Sequence, residues 1–131
     1  METLFRRDLV AWLAADPVLA AGLNAVSEEN PVAASPPHLA IAASASTDWG
    51  AKDAPGREVR VALELTCRSD DAAAAATLAD AVERRVATLP AAQGGYRVVV
   101  IQFLRSRAER RPGNLRGYLT EYRFLILASP D

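Results

Sequence analysis

In Val59-Arg60-Val61-Ala62-Leu63-Glu64-Leu65-Thr66-Cys67 larger apolar side chains alternate with polar or small ones. A period of two is the signature of a β-strand with one buried and one wet face. A strand wet on one side belongs to an antiparallel sheet rather than to a parallel sheet covered on both sides. The rest of the fold is read outward from this strand.

Downstream, Ser69-Asp70-Asp71 supplies a capping residue and first-turn acids, which suit a helix N-terminus and its dipole. The helix predicted there runs to about Leu89. Ala75, Leu78, Ala79, Val82, Val86 and Leu89 form its apolar stripe, and Asp80 to Arg84 is an acid-to-base pair four residues apart. Pro90 and Gly94-Gly95 stop the helix and turn the chain. Residues 97–107 and 116–128 then read as two strands. The run Val98-Val99-Val100-Ile101 leaves so little polar surface that its strand is expected to be central. In the last run Tyr118, Thr120, Tyr122, Phe124 and Ile126 share one face, and Leu119, Glu121, Arg123, Leu125 and Leu127 the other. Between these runs Ser106 to Asn114 reads as a charged hairpin tip with a Pro-Gly turn.

Upstream, residues 3–14 carry Phe5, Leu9, Trp12 and Leu13 at helical spacing, with Thr3 placed to cap the start. Pro17 disfavours helix at Asp16, and Asp16-Pro17 is itself a cap followed by proline at the first helical position, so a short second helix to Leu23 follows. From Gly22 to Pro37 periodicity dissolves, and Asn30-Pro31 and Pro36-Pro37 mark a surface loop. Leu39 to Ser46 alternates with small residues as a further strand. Residues 47–56 form a long turn-rich connection. The expectation is a single α+β domain over residues 1–131, with a small, mostly antiparallel four-stranded sheet and two main helices packed on one face.

Composition narrows function. The 131 residues include 15 Lys and Arg against 16 Asp and Glu, a formal net charge of −1. That balance disfavours a strongly basic nucleic-acid module. One cysteine excludes an intramolecular disulfide scaffold, and one histidine leaves too little for a His-rich metal site. No run is apolar enough for a membrane span and Arg6, Arg7 and Asp8 leave no apolar signal core, so a soluble intracellular protein is expected. The sequence holds no P-loop, no dinucleotide-binding glycine motif, no H-E-x-x-H and no G-x-S-x-G.

Candidate chemistry is sparse. Cys67 ends the apolar face of a strand, where a cysteine behaves as a small hydrophobe, and His38 has no partner group in the sequence. Two surface features stand out. Trp49, in a turn-rich segment, is either folded over the core edge or presented as an interface anchor. Residues 97–116 carry six arginines against Glu109. They form either a solvated hairpin or a contact patch, for which the slightly negative whole-chain charge favours protein over DNA. With Arg outnumbering Lys 14 to one in an alanine-rich chain, arginine alone is weak evidence for an anion clamp.

The order of these features resembles a known family. Leu9 to Leu19 looks like its opening helix and Asp-Pro segment. Asp48-Trp49-Gly50-Ala51-Lys52 with Gly56 to Val61 looks like its central loop and strand. The alanine-rich helix through Leu78 to Val86 follows, and Arg116 to Phe124 looks like its closing strand. The family is the tail terminator, or tail completion, proteins of long-tailed phages, with particular likeness to versions from prophages and gene transfer agents. One departure is that Pro37 leads into His38-Leu39 instead of an aromatic strand entry.

The resemblance implies an assembly protein without catalytic residues, cofactor or metal. It implies a six-membered ring that caps the head-proximal end of the tail tube, stops polymerisation and meets a head-side connector, with DNA passing through the lumen without sequence-specific binding. Assembly would take place in the bacterial cytoplasm and the product would sit at the tail neck. Asp48, Trp49, Lys52 and Arg57, together with Arg105, Arg107, Arg110, Arg111 and Arg116, are the contact candidates for ring neighbours, tube or connector. Lumen-facing arginines would retard DNA, so most are expected to face protein. A ring of identical chains needs a heterologous interface, for which surplus apolar strand surface or an open strand edge is available. The alternatives are another neck component, such as a head-closure or adaptor protein, and a small ligand-binding or enzymatic domain with a pocket at His38, Cys67 or Asp48.

Overall fold

The computed structural model describes residues 1–29 and 34–129. In chain order the elements are α1 (Glu2–Ala14), α2 (Pro17–Gly22), β1 (Ala25–Ser27), β2 (His38–Asp48), β3 (Gly56–Arg68), α3 (Ala72–Ala87), β4 (Tyr96–Arg111) and β5 (Leu115–Ala128). The sheet order is β1-β2-β3-β5-β4. The alternating stretch forms β3, antiparallel to both β2 and β5. Val59, Val61, Leu63, Leu65 and Cys67 are buried on one face; the other face, expected to be wet, exposes Arg60 but buries Glu64 and Thr66, with Arg111 of β4 donating to Glu64.

The helices cover that buried face. Phe5, Leu9 and Leu13 of α1 and Ala75, Leu78, Ala81, Val82 and Val86 of α3 join Leu39, Ile41, Tyr122, Phe124 and Ile126 in one core. The Phe5 ring lies 4.8 Å from Phe124 and 6.2 Å from Tyr96 between centroids. Trp12 and Arg85 lock the helices together. The Trp12 indole N–H donates to the Arg85 carbonyl at 2.8 Å, Arg85 Nε–H donates to the Trp12 carbonyl at 2.8 Å, and the guanidinium carbon sits 3.4 Å from the centroid of the indole. This cation–π contact turns a boundary tryptophan into a clamp.

Local chemistry sets the helix ends. The Asp16 carboxylate accepts from the backbone N–H groups of Val18 and Leu19, both at 3.1 Å, with Pro17 at the first helical position. Asp71 caps α3 by accepting from Ala74 N–H at 3.3 Å. At α1 the cap position falls to Met1, not Thr3, and Thr3 lies inside the helix. No ion pair joins Asp80 to Arg84 among the described residues.

Three expectations are corrected. The sheet has five strands and is mixed, because β1 pairs parallel with His38–Ala40 inside the stretch read as loop. Three residues are too few for a period to show in sequence. Their pairing is made by the fold, with Asn24 N–H donating to Pro37 O at 2.8 Å. The Asn30-Pro31 turn lies outside the described residues.

The Val98–Ile101 strand is at the edge, not the centre. Its register shifts between Val98 and Val100, so Val99 is bulged out and 42% exposed. A bulge, which places one extra residue against its partner strand, imitates a two-sided apolar run. Finally, β4 continues through the predicted hairpin tip to Arg111, which pairs with Leu115, and only Pro112, Gly113 and Asn114 turn the chain. Charges alternating on two solvated faces resemble a loop in sequence.

Candidate assembly surface

Asp48, Trp49, Lys52 and Arg57 lie at one end of the sheet and Arg110, Arg111 and Arg116 at the other, while Arg105 and Arg107 sit between them, level with Ala62 and Glu64 of β3. Gly56 pairs with Leu127 at one end of the β3–β5 ladder and Arg68 with Leu115 at the other. At roughly 3.3 Å per residue the 13-residue β3 separates them by about 40 Å. The β2–β3 connection sits at the first end. It is held by Trp49 N–H to Gly56 O at 3.1 Å, a reciprocal Ala51–Ala54 pair at 3.0 and 3.2 Å, and Ala128 N–H to Pro55 O at 2.8 Å. The Trp49 ring leans against Gly56 yet stays 39% exposed. Thus it is both folded back and accessible. Asp48, Lys52 and Arg57 are exposed around it, and none forms an ion pair among the described residues.

The arginine-rich end is ordered by carboxylates on the sheet face away from the helices. Arg105 pairs with Glu121, Arg107 with Glu109, and Arg111 bridges Glu109 at 2.7 Å and Glu64 at 3.0 Å. Hydrogen bonding from Arg111, aided by the Arg107 and Arg111 charges, holds the Glu109 carboxyl below the usual carboxylate range. Glu64 and Glu109 in turn hold Arg111 above its ordinary range. Farther along, Arg123 donates to Glu58 at 2.8 Å and to Gln102 at 3.2 Å. Arg110 and Arg116 face each other across the β4–β5 register without an ion-pair partner among the described residues. Like charges directly opposite are destabilising.

Cys67 and His38 do not form a dyad. His38 pairs with Thr66, and consecutive strand residues point to opposite faces, so Cys67 lies on the far side from His38. Burial, with Asp71 adding to it, pushes the Cys67 thiol up to about 11, which keeps it protonated near neutrality. The thiol borders a cleft of about 140 Å³ with Pro36, Arg68, Asp71 and Leu78. No group of three or more potential metal ligands converges among the described residues. No helix among them is long and apolar enough to cross a membrane.

One further surface lies on β4, outside the residues expected from the sequence. Val99, Phe103 and Leu104 of β4 are 42%, 47% and 37% exposed on an edge strand. A second register shift, between Phe103 and Arg105, sets Leu104 out of the ladder just as the first does Val99. The signal was present, because Phe103-Leu104 sits amid Gln102, Arg105 and Arg107, a polar setting foreign to a central strand.

Comparison with curated proteins finds no match. A chain in the solved structure described as "Virion of native gene transfer agent (GTA) particle" shares the fold, with a TM-score of 0.75 over 93% of each chain and 22% sequence identity. The model of the family described as "Tail completion protein gp17" matches residues 7–127, from α1 to the penultimate residue of β5. The chain belongs to this tail completion family, a family of structural phage-tail proteins.

Proposed function

We propose that this chain is a structural assembly protein of a phage or gene-transfer-agent tail. Six copies form a ring on the head-proximal end of the tail tube, stop its polymerisation and join it to the head-side connector. The observation that carries this reading is the placement of two separate polar surfaces at the two ends of one rigid sheet. The Asp48–Arg57 loop is at one end and the Arg110–Arg116 turn at the other. A plug between two partners needs two such ends. Its action is by contact, without a bond made or broken.

The charge pattern supports passage of DNA through the ring rather than its capture. The net charge is −1, and Arg105, Arg107 and Arg111 are already neutralised within the chain. Assembly in the bacterial cytoplasm and final residence at the tail neck follow from the role. Deleting the gene tests it. Overlong, headless tubes are the expected result. Headless tails of normal length would assign the chain to head closure instead. Tight, steeply salt-dependent DNA binding by the purified chain would oppose the reading.

A further inference from the structure

We propose that the outer edge of β4 seats on the outer edge of β2 in a second copy of this chain, with Val99, Phe103 and Leu104 as apolar anchors. This rests on the ring reading and adds which surfaces join.

Both edges are open over most of their length among the described residues. β4 is the last strand of the sheet, covered only at its start, where Ala92 pairs with Arg97 and Val98 N–H donates to Ala91 O at 2.8 Å, and β1 covers only His38–Ala40 of β2. An unpaired edge offers a row of N–H and C=O groups to another chain. Strand direction then decides compatibility. β2, β3, β5 and β4 alternate in direction along the sheet, each pair antiparallel. In copies standing side by side with the same polarity, β4 of one therefore meets β2 of the next antiparallel. The two surfaces differ, so the contact is head-to-tail and repeats around a ring.

Composition fits the same pairing. Of the five arginines of β4, Arg105, Arg107 and Arg111 are held by carboxylates of their own chain, which leaves Arg97 and Arg110 without an ion pair among the described residues. Beside β2, Glu28 and Glu29 share a cleft with Arg6 and Ile41–Ser44, and Asp48 ends the strand. Arg6 is spent on Glu2 at 2.7 Å and Glu28 at 3.4 Å, whereas Glu29 and Asp48 are exposed without an ion pair among the described residues. In this pairing Arg97 and Arg110 supply two unpaired cations and Glu29 and Asp48 two unpaired acids. The exposed β2 residues Ala42, Ala43 and Ala45 are small, which permits the close approach that bulky anchors need. The two bulges set Val99 and Leu104 off the ladder of β4, while Phe103 stays opposite Tyr122, ring centroids 5.7 Å apart, and still leaves 47% of its surface exposed, so side-chain docking contributes beside backbone pairing.

The test uses the full chain in particle-producing cells. Copies carrying Phe103→Cys and copies carrying Ala45→Cys are co-expressed, and purified tails are treated with a short bis-maleimide. The expected product is a crosslinked dimer that needs both variants. Leu104→Glu, with Val99→Lys as the second variant should the first not fold by circular dichroism, is expected to lower incorporation into tails at least tenfold. Normal incorporation of folded Leu104→Glu, or crosslinking of the Phe103→Cys chain to a tube protein instead of a second copy, overturns the proposal and leaves the ring reading standing. Absence of the wild-type chain from tails overturns the ring reading. Sedimentation of the purified chain at several hundred micromolar then decides the edge contact: oligomers abolished by Leu104→Glu support it, and a strict monomer overturns it.

Discussion

Arg111, the last residue of β4, reaches over β5 to Glu64 on β3 and closes two hydrogen bonds, Nη2–H to Oε1 at 3.0 Å and Nε–H to Oε2 at 3.1 Å. The bridge passes above Gly117. A Cβ on that residue would stand 2.8 Å from Glu64 Oε2 and 3.2 Å from Arg111 Nε, so the missing side chain is what lets two strands that are not neighbours be tied together. Gly117→Ala is expected to destabilise the fold by about 1–3 kcal/mol, the usual cost of forcing extra volume into a packed site. Urea unfolding measures it. In a double-mutant cycle, Glu64→Ala should cost less in the Gly117→Ala background than alone, because the bridge is already displaced. Full additivity would show that the bridge ignores Gly117.

Phe5 is fully buried against Phe124 and Tyr96. Phe5→Ala is expected to cost about 3–5 kcal/mol from lost contacts and the cavity left behind. The midpoint of urea denaturation should fall with little change in slope.

A change at Trp49 tests folding and assembly separately. Its ring is more than a third exposed at the end of the sheet. Trp49→Ala is expected to move Tm by only a few degrees while reducing incorporation into tails at least tenfold. Normal incorporation would remove Trp49 from the contact surface.

Acid should loosen the anchoring of α1. The Ser46 hydroxyl donates to Glu2 Oε1 at 2.5 Å, and Ser44 and Arg6 add to it, holding the Glu2 carboxyl below the ordinary 4.5 despite opposing desolvation. A depressed folded value means that the unfolded chain binds the proton more readily. The stabilisation is therefore present above about pH 4.5 and lost as pH falls through the folded value. Glu2→Gln should flatten the acid limb of a stability-against-pH curve below about pH 5 and leave its shape near neutrality unchanged.

At the alkaline side Cys67 acts in the opposite sense. Its folded value near 11 lies above the ordinary 9.0, so its contribution is present below about pH 9 and lost as pH rises towards about 11. Cys67→Ala should remove that part of the alkaline decline. In the native protein at about pH 8 the thiol is expected to react with an aromatic disulfide at least roughly a hundredfold more slowly than after unfolding in guanidinium.

Much of the local structure was legible because it is governed by neighbours in sequence. The Val59–Cys67 alternation, the Asp16-Pro17 cap and the Phe5–Leu9–Leu13 stripe each carry their own cause, so β3, α2 and α1 stand close to where they were expected. The position of the Arg-rich hairpin next to Ser69 was not legible. It depends on which strand pairs with which, and Ser69 N–H meets Asn114 O at 2.9 Å only because β3 lies beside β5.

From the order of residues alone came the helices, the long strands, the α+β class and the family resemblance, since periodicity, capping and turn chemistry act over a few residues. The three-dimensional arrangement alone decided that β4 is an edge, that β1 joins β2, that Arg105, Arg107 and Arg111 face carboxylates of their own chain, and that Val99, Phe103 and Leu104 stay outside. The reason is that strand order and ion pairing are long-range choices. A valine run reads the same whether a second sheet face, a bulge or a neighbouring subunit is what meets it.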